Sequence, residues 1–198
     1  MGVMETQVPL RELKKERTKA ALEAAALKLF RERGYANTSV AEIAAEAEVS
    51  RRTFFRYFRS KEGVVFANAD ENGRRLQEAI EAEPDGANPI QVFGNAVVRL
   101  TRQEVDEDSK EEVLARQRLF LDNLELRSRL AEVARVWRGF LGEALARRAG
   151  RDVADDSDLL YAAVGIAVIQ TVLDQWTRDG GREDLADRFS EAFMKISG

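Results

Sequence analysis

Nine consecutive residues, "SRRTFFRYF" at positions 50–58, hold three arginines and four aromatic rings in a chain of net charge −4. Clustered guanidinium groups have one strong chemistry: forked hydrogen bonding to phosphate, or to the O6 and N7 edge of guanine. Arg51, Arg52, Thr53 and Arg56 are therefore candidates to read a polyanion, with Phe55 at their flank. If a helix begins after Ser50, Phe54 and Phe58 fall four apart on the face that Val49 shares, and they anchor it. Arg51 and Arg52 then lie in the first turn, where a cation is disfavoured by a few tenths of a kcal/mol up to about 1. A bound anion would remove that penalty, and free amides at a helix start attract one. The competing reading makes the arginines a solvated surface and the rings a corner of the core.

Other chemistries have little to work with. Cys and His are both absent, which removes disulfides, thiolate and imidazole metal sites, cysteine nucleophiles and histidine triads. The acidic cluster Asp155, Asp156 and Asp158 suits a helix N-terminus better than a metal or acid/base site. No catalytic residue, metal ligand or cofactor is assigned, and the chain is not read as an enzyme. The charge is also uneven: residues 1–65 carry 13 Lys and Arg against 9 Glu and no Asp, so a basic head precedes an acidic body. Such a head suggests a polyanionic partner.

Several elements must position these residues. With 3 Pro, 13 Gly and abundant Ala, Leu, Glu and Arg, the composition favours helix, and no period-two alternation signals a strand. The fold class is all-α, with about nine helices. A first helix starts near Pro9, presents Ala21, Leu22, Ala25, Ala26, Leu29 and Phe30 at helical spacing, and ends at Gly34. Ser39 and Glu42 form a capping box before a short helix with Val40, Ile43, Ala44 and Ala47 on its apolar face. Ser50 starts the arginine-bearing helix, and Ser60 caps a long helix reaching about Ala82 before Pro84 and Gly86. This is the outline of a helix-turn-helix on a supporting helix.

Residues 17–65 resemble the DNA-binding domain of the tetracycline-repressor (TetR) family. The matching pieces are "AALKLFRERGYANTSV", "EIAAEAEVS", the Ser-x-x-Thr-hydrophobic-aromatic-x-Tyr-Phe helix and "SKE", in that order. The resemblance implies two domains, a helix-turn-helix domain at 9–60 and an effector-binding and dimerisation domain at 61–198. It makes Thr38 and Ser39 phosphate contacts, Tyr57 and Lys61 phosphate clamps, and Arg51, Arg52, Thr53 and Arg56 base or near-base contacts. Arg52 stands where the family often has a small residue, and Phe55 where it often has tyrosine. The implied partners are double-stranded DNA with a palindromic operator, a second copy of the chain and a small-molecule effector.

The second half reads as further helices. One runs from Asn88-Pro89 to about Gln103, and one from a Ser109/Glu112 capping box, after a "VDEDS" loop, to about Asn123. A longer one ends near Gly150, another spans about Ser157 to Arg178, and the last carries Leu185, Phe189, Phe193 and Ile196. The resemblance implies a dimer through the last two helices, and small residues in "LLYAAVGIAVIQTVLDQW" permit close helix approach, so Ala162, Gly165, Ile169, Phe189 and Phe193 are the expected dimer interface; the competing reading makes this the central helix of a monomeric core. Phe93, Val97, Leu100, Leu119, Phe120, Trp137, Phe140, Tyr161 and Val164 are the candidate lining of an apolar effector pocket, with core packing the expected role of most of them. Trp137, Phe140 and "RQRLFLDNLELRSRL" are similar to TetR-type regulators that bind acyl-CoA-like ligands. Arg116, Arg118, Arg127 and Arg129 would meet the CoA phosphates or form a solvated face. The N-terminal stretch has no apolar signal core, and the run Leu159 to Ile169 is shorter than the roughly 20 residues that span a bilayer. The expected location is the bacterial cytoplasm, in association with the nucleoid and without a membrane partner.

Overall fold

The computed structural model describes residues 10–84, 87–105 and 107–197. The expected helix start at Pro9, the breaker Gly86 and Asp106 of the "VDEDS" loop lie outside them. Among the described residues ten helical segments follow one another: α1 Leu10–Arg33, α2 Val40–Glu46, α3 Arg51–Tyr57, α4 Lys61–Val65, α5 Ala69–Glu81, α6 Pro89–Glu104, α7 Glu107–Asp122, α8 Leu124–Arg148, α9 Asp156–Arg178 and α10 Leu185–Ser197. No strand occurs among the described residues, and the all-α class stands.

Two expectations change. The single helix expected from Ser60 to Ala82 is interrupted at Phe66–Asn68, which separates α4 from α5. Neither Gly nor Pro marks that break; the Ala67 amide turns back to the Val64 carbonyl at 3.2 Å instead of continuing the α ladder. Helix α7 begins at Glu107, so Ser109 lies in its first turn and is not its cap.

The chain divides into two compact units, Met1–Ala67 and Asn68–Gly198. In the first, α1 buries Leu22, Ala25, Ala26, Leu29 and Phe30 against α2 and α4, while Ala21 is exposed. Gly34 ends α1 with φ +82°, donating its amide to the Phe30 carbonyl at 2.9 Å, a conformation in which a Cβ would be strained. Lys28 to Glu46 at 2.5 Å and Arg33 to Glu42 at 3.0 Å fasten α1 to α2 along the surface.

In the second unit α6 packs on α10, α8 on α9 and α5 on α8. Its core holds Ile80, Phe93, Leu141, Ala162, Ile166, Trp176, Phe189 and Phe193. Small residues let large rings in. The Phe93 ring sits on Gly165 of α9, Phe193 sits on Gly94 of α6, and Trp137 and Phe140 of α8 close over Gly73 of α5. Helix α9 has the length and composition to cross a bilayer, yet here α6, α8 and α10 pack on it. Asp155 caps it in a capping box with Asp158, which is 2% exposed. Arg151 forks onto both Asp158 carboxylate oxygens at 2.6 Å. The aspartate cluster is thus a helix start tied to one arginine.

Candidate nucleic-acid interface

The local sequence fixes the turn between α2 and α3 at both ends. The Ser39 hydroxyl accepts from the Glu42 amide at 3.2 Å while the Glu42 carboxylate accepts from the Ser39 amide at 2.8 Å. That amide first, then the Ser39 hydroxyl and Arg33, hold the Glu42 carboxyl below its ordinary range. Helix α2 ends at Ala47 with two closing bonds, Glu48 amide to Ala45 carbonyl at 3.0 Å and Val49 amide to Ala44 carbonyl at 2.9 Å. The Ser50 hydroxyl then caps α3 by accepting from the Thr53 amide at 3.0 Å. Phe54, fully buried, and Phe58, 6% exposed, seat α3, their ring centroids 5.7 Å apart. Burial of this kind is worth about 3–5 kcal/mol for a phenylalanine against alanine, so the helix is firmly held from one side.

The other side is open. Arg51, Arg52 and Arg56 are exposed, and Phe55 is 50% exposed, edge-on to Phe54 with centroids at 5.5 Å. The side chains of Arg51 and Arg52 have no hydrogen bond or ion pair with another described residue, and the same holds for Arg59 just beyond α3. Arg56 lies over the Tyr57 ring at 5.0 Å and donates to its hydroxyl at 3.2 Å, so these two form one polar unit. Thr53 is half-buried, its hydroxyl 2.9 Å from that of Ser50. Ser39 is exposed at the head of α2. Unpaired guanidinium groups on a helix held rigidly from behind can fork onto phosphates or base edges without first breaking an internal ion pair.

Two residues expected at phosphates are placed otherwise. Thr38 is 2% exposed, and its hydroxyl donates to the Gly34 carbonyl at 2.9 Å, so its side chain faces the interior. The Lys61 ammonium donates to the carbonyls of Tyr35 at 2.9 Å and Thr38 at 3.3 Å and lies 4.2 Å from the Tyr35 ring centroid. Its reach is spent inside the domain, on the segment joining α1 to α2. The Tyr35 hydroxyl meets Glu62 at 2.6 Å and completes that brace. Only the tertiary fold brings Lys61 to those carbonyls; no spacing in the sequence announces it.

The second unit places its candidate residues as follows. Phe93, Val97, Leu119 and Phe120 are core residues, and Leu100, Trp137, Phe140, Tyr161 and Val164 are partly buried. Of these five, all pack directly against that core. An open groove of about 860 Å³ lies instead between α6 and α10, lined among others by Gln91, Asn95, Arg99, Arg102, Ser190 and Met194. Arg127 donates to the Phe120 carbonyl at 3.0 Å and Arg129 pairs with Glu132, so both have protein partners. Ala162, Gly165, Phe189 and Phe193, expected to meet a partner subunit, are buried in the protomer's own core, and Ile169 packs against it. Small residues do permit close approach on α9, but what approaches Gly165 is the Phe93 ring. The apolar residues α9 leaves uncovered are Leu160, 63% exposed, with Ala167 beside half-buried Val164 and Val168.

A capped helix-turn-helix with unpaired arginines, followed by an all-helical second unit, defines a DNA-binding transcriptional regulator. Residues 22–67 match the family of bacterial regulatory proteins, tetR family, and residues 87–198 match the MftR C-terminal domain. The chain is 34% identical over 195 residues to the HTH-type transcriptional regulator TcmR of Streptomyces glaucescens, covering 94% of this chain and 86% of that protein. It belongs to the TetR family. Among solved structures it is similar to the fatty acid degradation regulator FadR of Bacillus halodurans, with TM-score 0.64, 20% identity and coverage of 91% and 95% of the two chains. FadR of Bacillus subtilis, solved in complex with stearoyl-CoA, gives TM-score 0.62 at 19% identity, covering 90% and 97%. At these identities the likeness establishes the fold.

Proposed function

We propose that this TetR-family regulator is a homodimeric repressor that holds a palindromic operator through α3 and leaves it when a largely apolar effector binds the second unit. The observation that carries the DNA half is the open face of α3, where exposed Arg51 and Arg52 have no partner among the described residues while Phe54 and Phe58 fix the helix from behind. Arg51, Arg52, Thr53 and Arg56 read or approach bases, Phe55 makes apolar contact, and Ser39 and Tyr57 contact phosphates. Two copies of α3 about 34 Å apart would enter successive major grooves. The exposed stripe of α9, Leu160 and Ala167 with Val164 and Val168, is the surface that a second copy covers. The protein acts in the cytoplasm, on nucleoid DNA.

For the effector, the rings of Trp137 and Phe140 over Gly73 are the place where α5 and α8 must part to admit an acyl chain. A ligand shifts the equilibrium only by its differential affinity for the DNA-bound and DNA-free forms. The stearoyl-CoA bound by the Bacillus subtilis FadR motivates a long-chain acyl-CoA as the first ligand to try. The packing of the expected pocket residues into the core favours a second reading, in which a DNA-bound dimer needs no effector and acts through a protein partner. Titrating stearoyl-CoA into the complex with the chain's own upstream intergenic DNA separates the two. Release with a change in tryptophan fluorescence that Trp137→Phe removes supports the effector, and a complex indifferent to acyl-CoA supports the partner.

A further inference from the structure

Glu48 closes the turn between α2 and α3 in a conformation that glycine usually supplies. Its φ is +53°, and it is the one non-glycine residue with positive φ among the described residues. Both hydrogen bonds that end α2, from the Glu48 and Val49 amides, use that left-handed geometry. A side chain there is strained, and Glu48 recovers nothing by packing or pairing. It is exposed, and its side chain makes no hydrogen bond or ion pair with another described residue. The acids of α2 itself are neutralised, Glu42 by Arg33 and Glu46 by Lys28. An unpaired carboxylate thus leads directly into the unpaired Arg51 and Arg52. Three peptide steps separate Glu48 from Arg51, so their Cα atoms lie within about 11 Å, close to the Debye length of roughly 8–10 Å at physiological salt.

We propose that Glu48 is an electrostatic brake on duplex DNA. Its carboxylate repels phosphates flanking α3 and keeps the sequence-independent part of the affinity low. The strained turn persists because glycine there would release the brake together with the strain. Stability traded against function in this way is common at functional sites. The proposal rests on α3 being the DNA-facing helix.

The test uses the full chain, a random-sequence duplex of about 30 base pairs and fluorescence anisotropy at salt from about 50 to 300 mM. Glu48→Gln removes the charge and keeps a side chain in the left-handed turn; Glu48→Gly removes both. Glu48→Gln should bind about two- to fivefold tighter at the lowest salt, with the advantage shrinking toward one as salt screens it and the melting temperature unchanged. Glu48→Gly should show the same gain in affinity together with a higher melting temperature at every salt concentration. Arg52→Ala, measured on the chain's own upstream intergenic duplex, is the control. If it weakens binding while Glu48→Gln binds like wild type or more weakly, the brake is refuted and the α3 reading survives. If Arg52→Ala also leaves binding unchanged, α3 is not the helix that meets DNA.

Discussion

Gly165→Ala is the substitution whose outcome separates two accounts of α9. A Cβ at Gly165 falls 2.6 Å from Cδ1 and Cε1 of Phe93 and 2.7 Å from its Cγ. Carbon atoms in comfortable contact stand about 3.5–4.0 Å apart, so the ring would have to retreat by about an ångström. It has no room, because Phe93 is fully buried. Phe193 lies next to it with centroids at 6.1 Å, and Phe193 is itself pressed onto Gly94. Overpacking of this kind costs about 1–3 kcal/mol, a fall in melting temperature of roughly 2–4 °C per kcal/mol for a chain this long. The assay is urea denaturation followed by circular dichroism for Gly165→Ala, Phe93→Leu and the double variant, each at two protein concentrations. Phe93→Leu should recover part of the loss in the double variant, with a coupling of about 0.5 kcal/mol or more, and the loss from Gly165→Ala itself should be the same at both concentrations. Additive effects, or a Gly165→Ala loss that appears only on dilution, would refute the core assignment and return Gly165 to a subunit interface.

Other perturbations follow from the same contacts. The Arg151 fork first, then the Asp155 amide, hold the Asp158 carboxyl below its ordinary range. A carboxyl with a lowered folded pKa contributes stability that is fully present above its unfolded value near 3.9 and is lost as pH falls through the folded one. Thermal melts taken from neutral pH downward should therefore steepen below about pH 4, and Asp158→Asn should remove that part of the acid sensitivity. Lys61→Met leaves the Tyr35 and Thr38 carbonyls without their donor; it should lower the melting temperature and leave the salt slope of DNA binding unchanged, whereas a phosphate clamp would lose about one unit of slope. Leu160→Arg places a charge on the exposed stripe of α9 and should yield monomers in sedimentation velocity without loss of helix.

Local signals in the sequence carried much of the first unit. The Ser39/Glu42 box, the glycine at the end of α1 and the Phe54/Phe58 spacing each depend on neighbours within a few residues, and each is found in the structure. The break at Phe66–Asn68 was illegible because no Gly or Pro marks it. Glu48 hid the left-handed end of α2 for the converse reason, since the residue type that announces such a turn is missing. Burial of Ala162, Gly165, Phe189 and Phe193 could be read from their pattern, but not whether the covering surface is their own protomer's or a partner's. Periodicity reports that a face is apolar and leaves open what meets it. Lys61 shows the same limit for a charged group: its long stem chooses between carbonyls 23 and 26 residues away and an external phosphate, and only the fold decides.

In the proposed function, α3 reads DNA through its unpaired arginines. The direct measurement is the affinity of wild type and Arg52→Ala for the chain's own upstream intergenic duplex and for a scrambled duplex of equal length, at matched salt. A base contact predicts a loss of about 1–3 kcal/mol on the first duplex, with a much smaller loss on the second, so that the preference between them narrows. Equal affinities of the two proteins for both duplexes would contradict it.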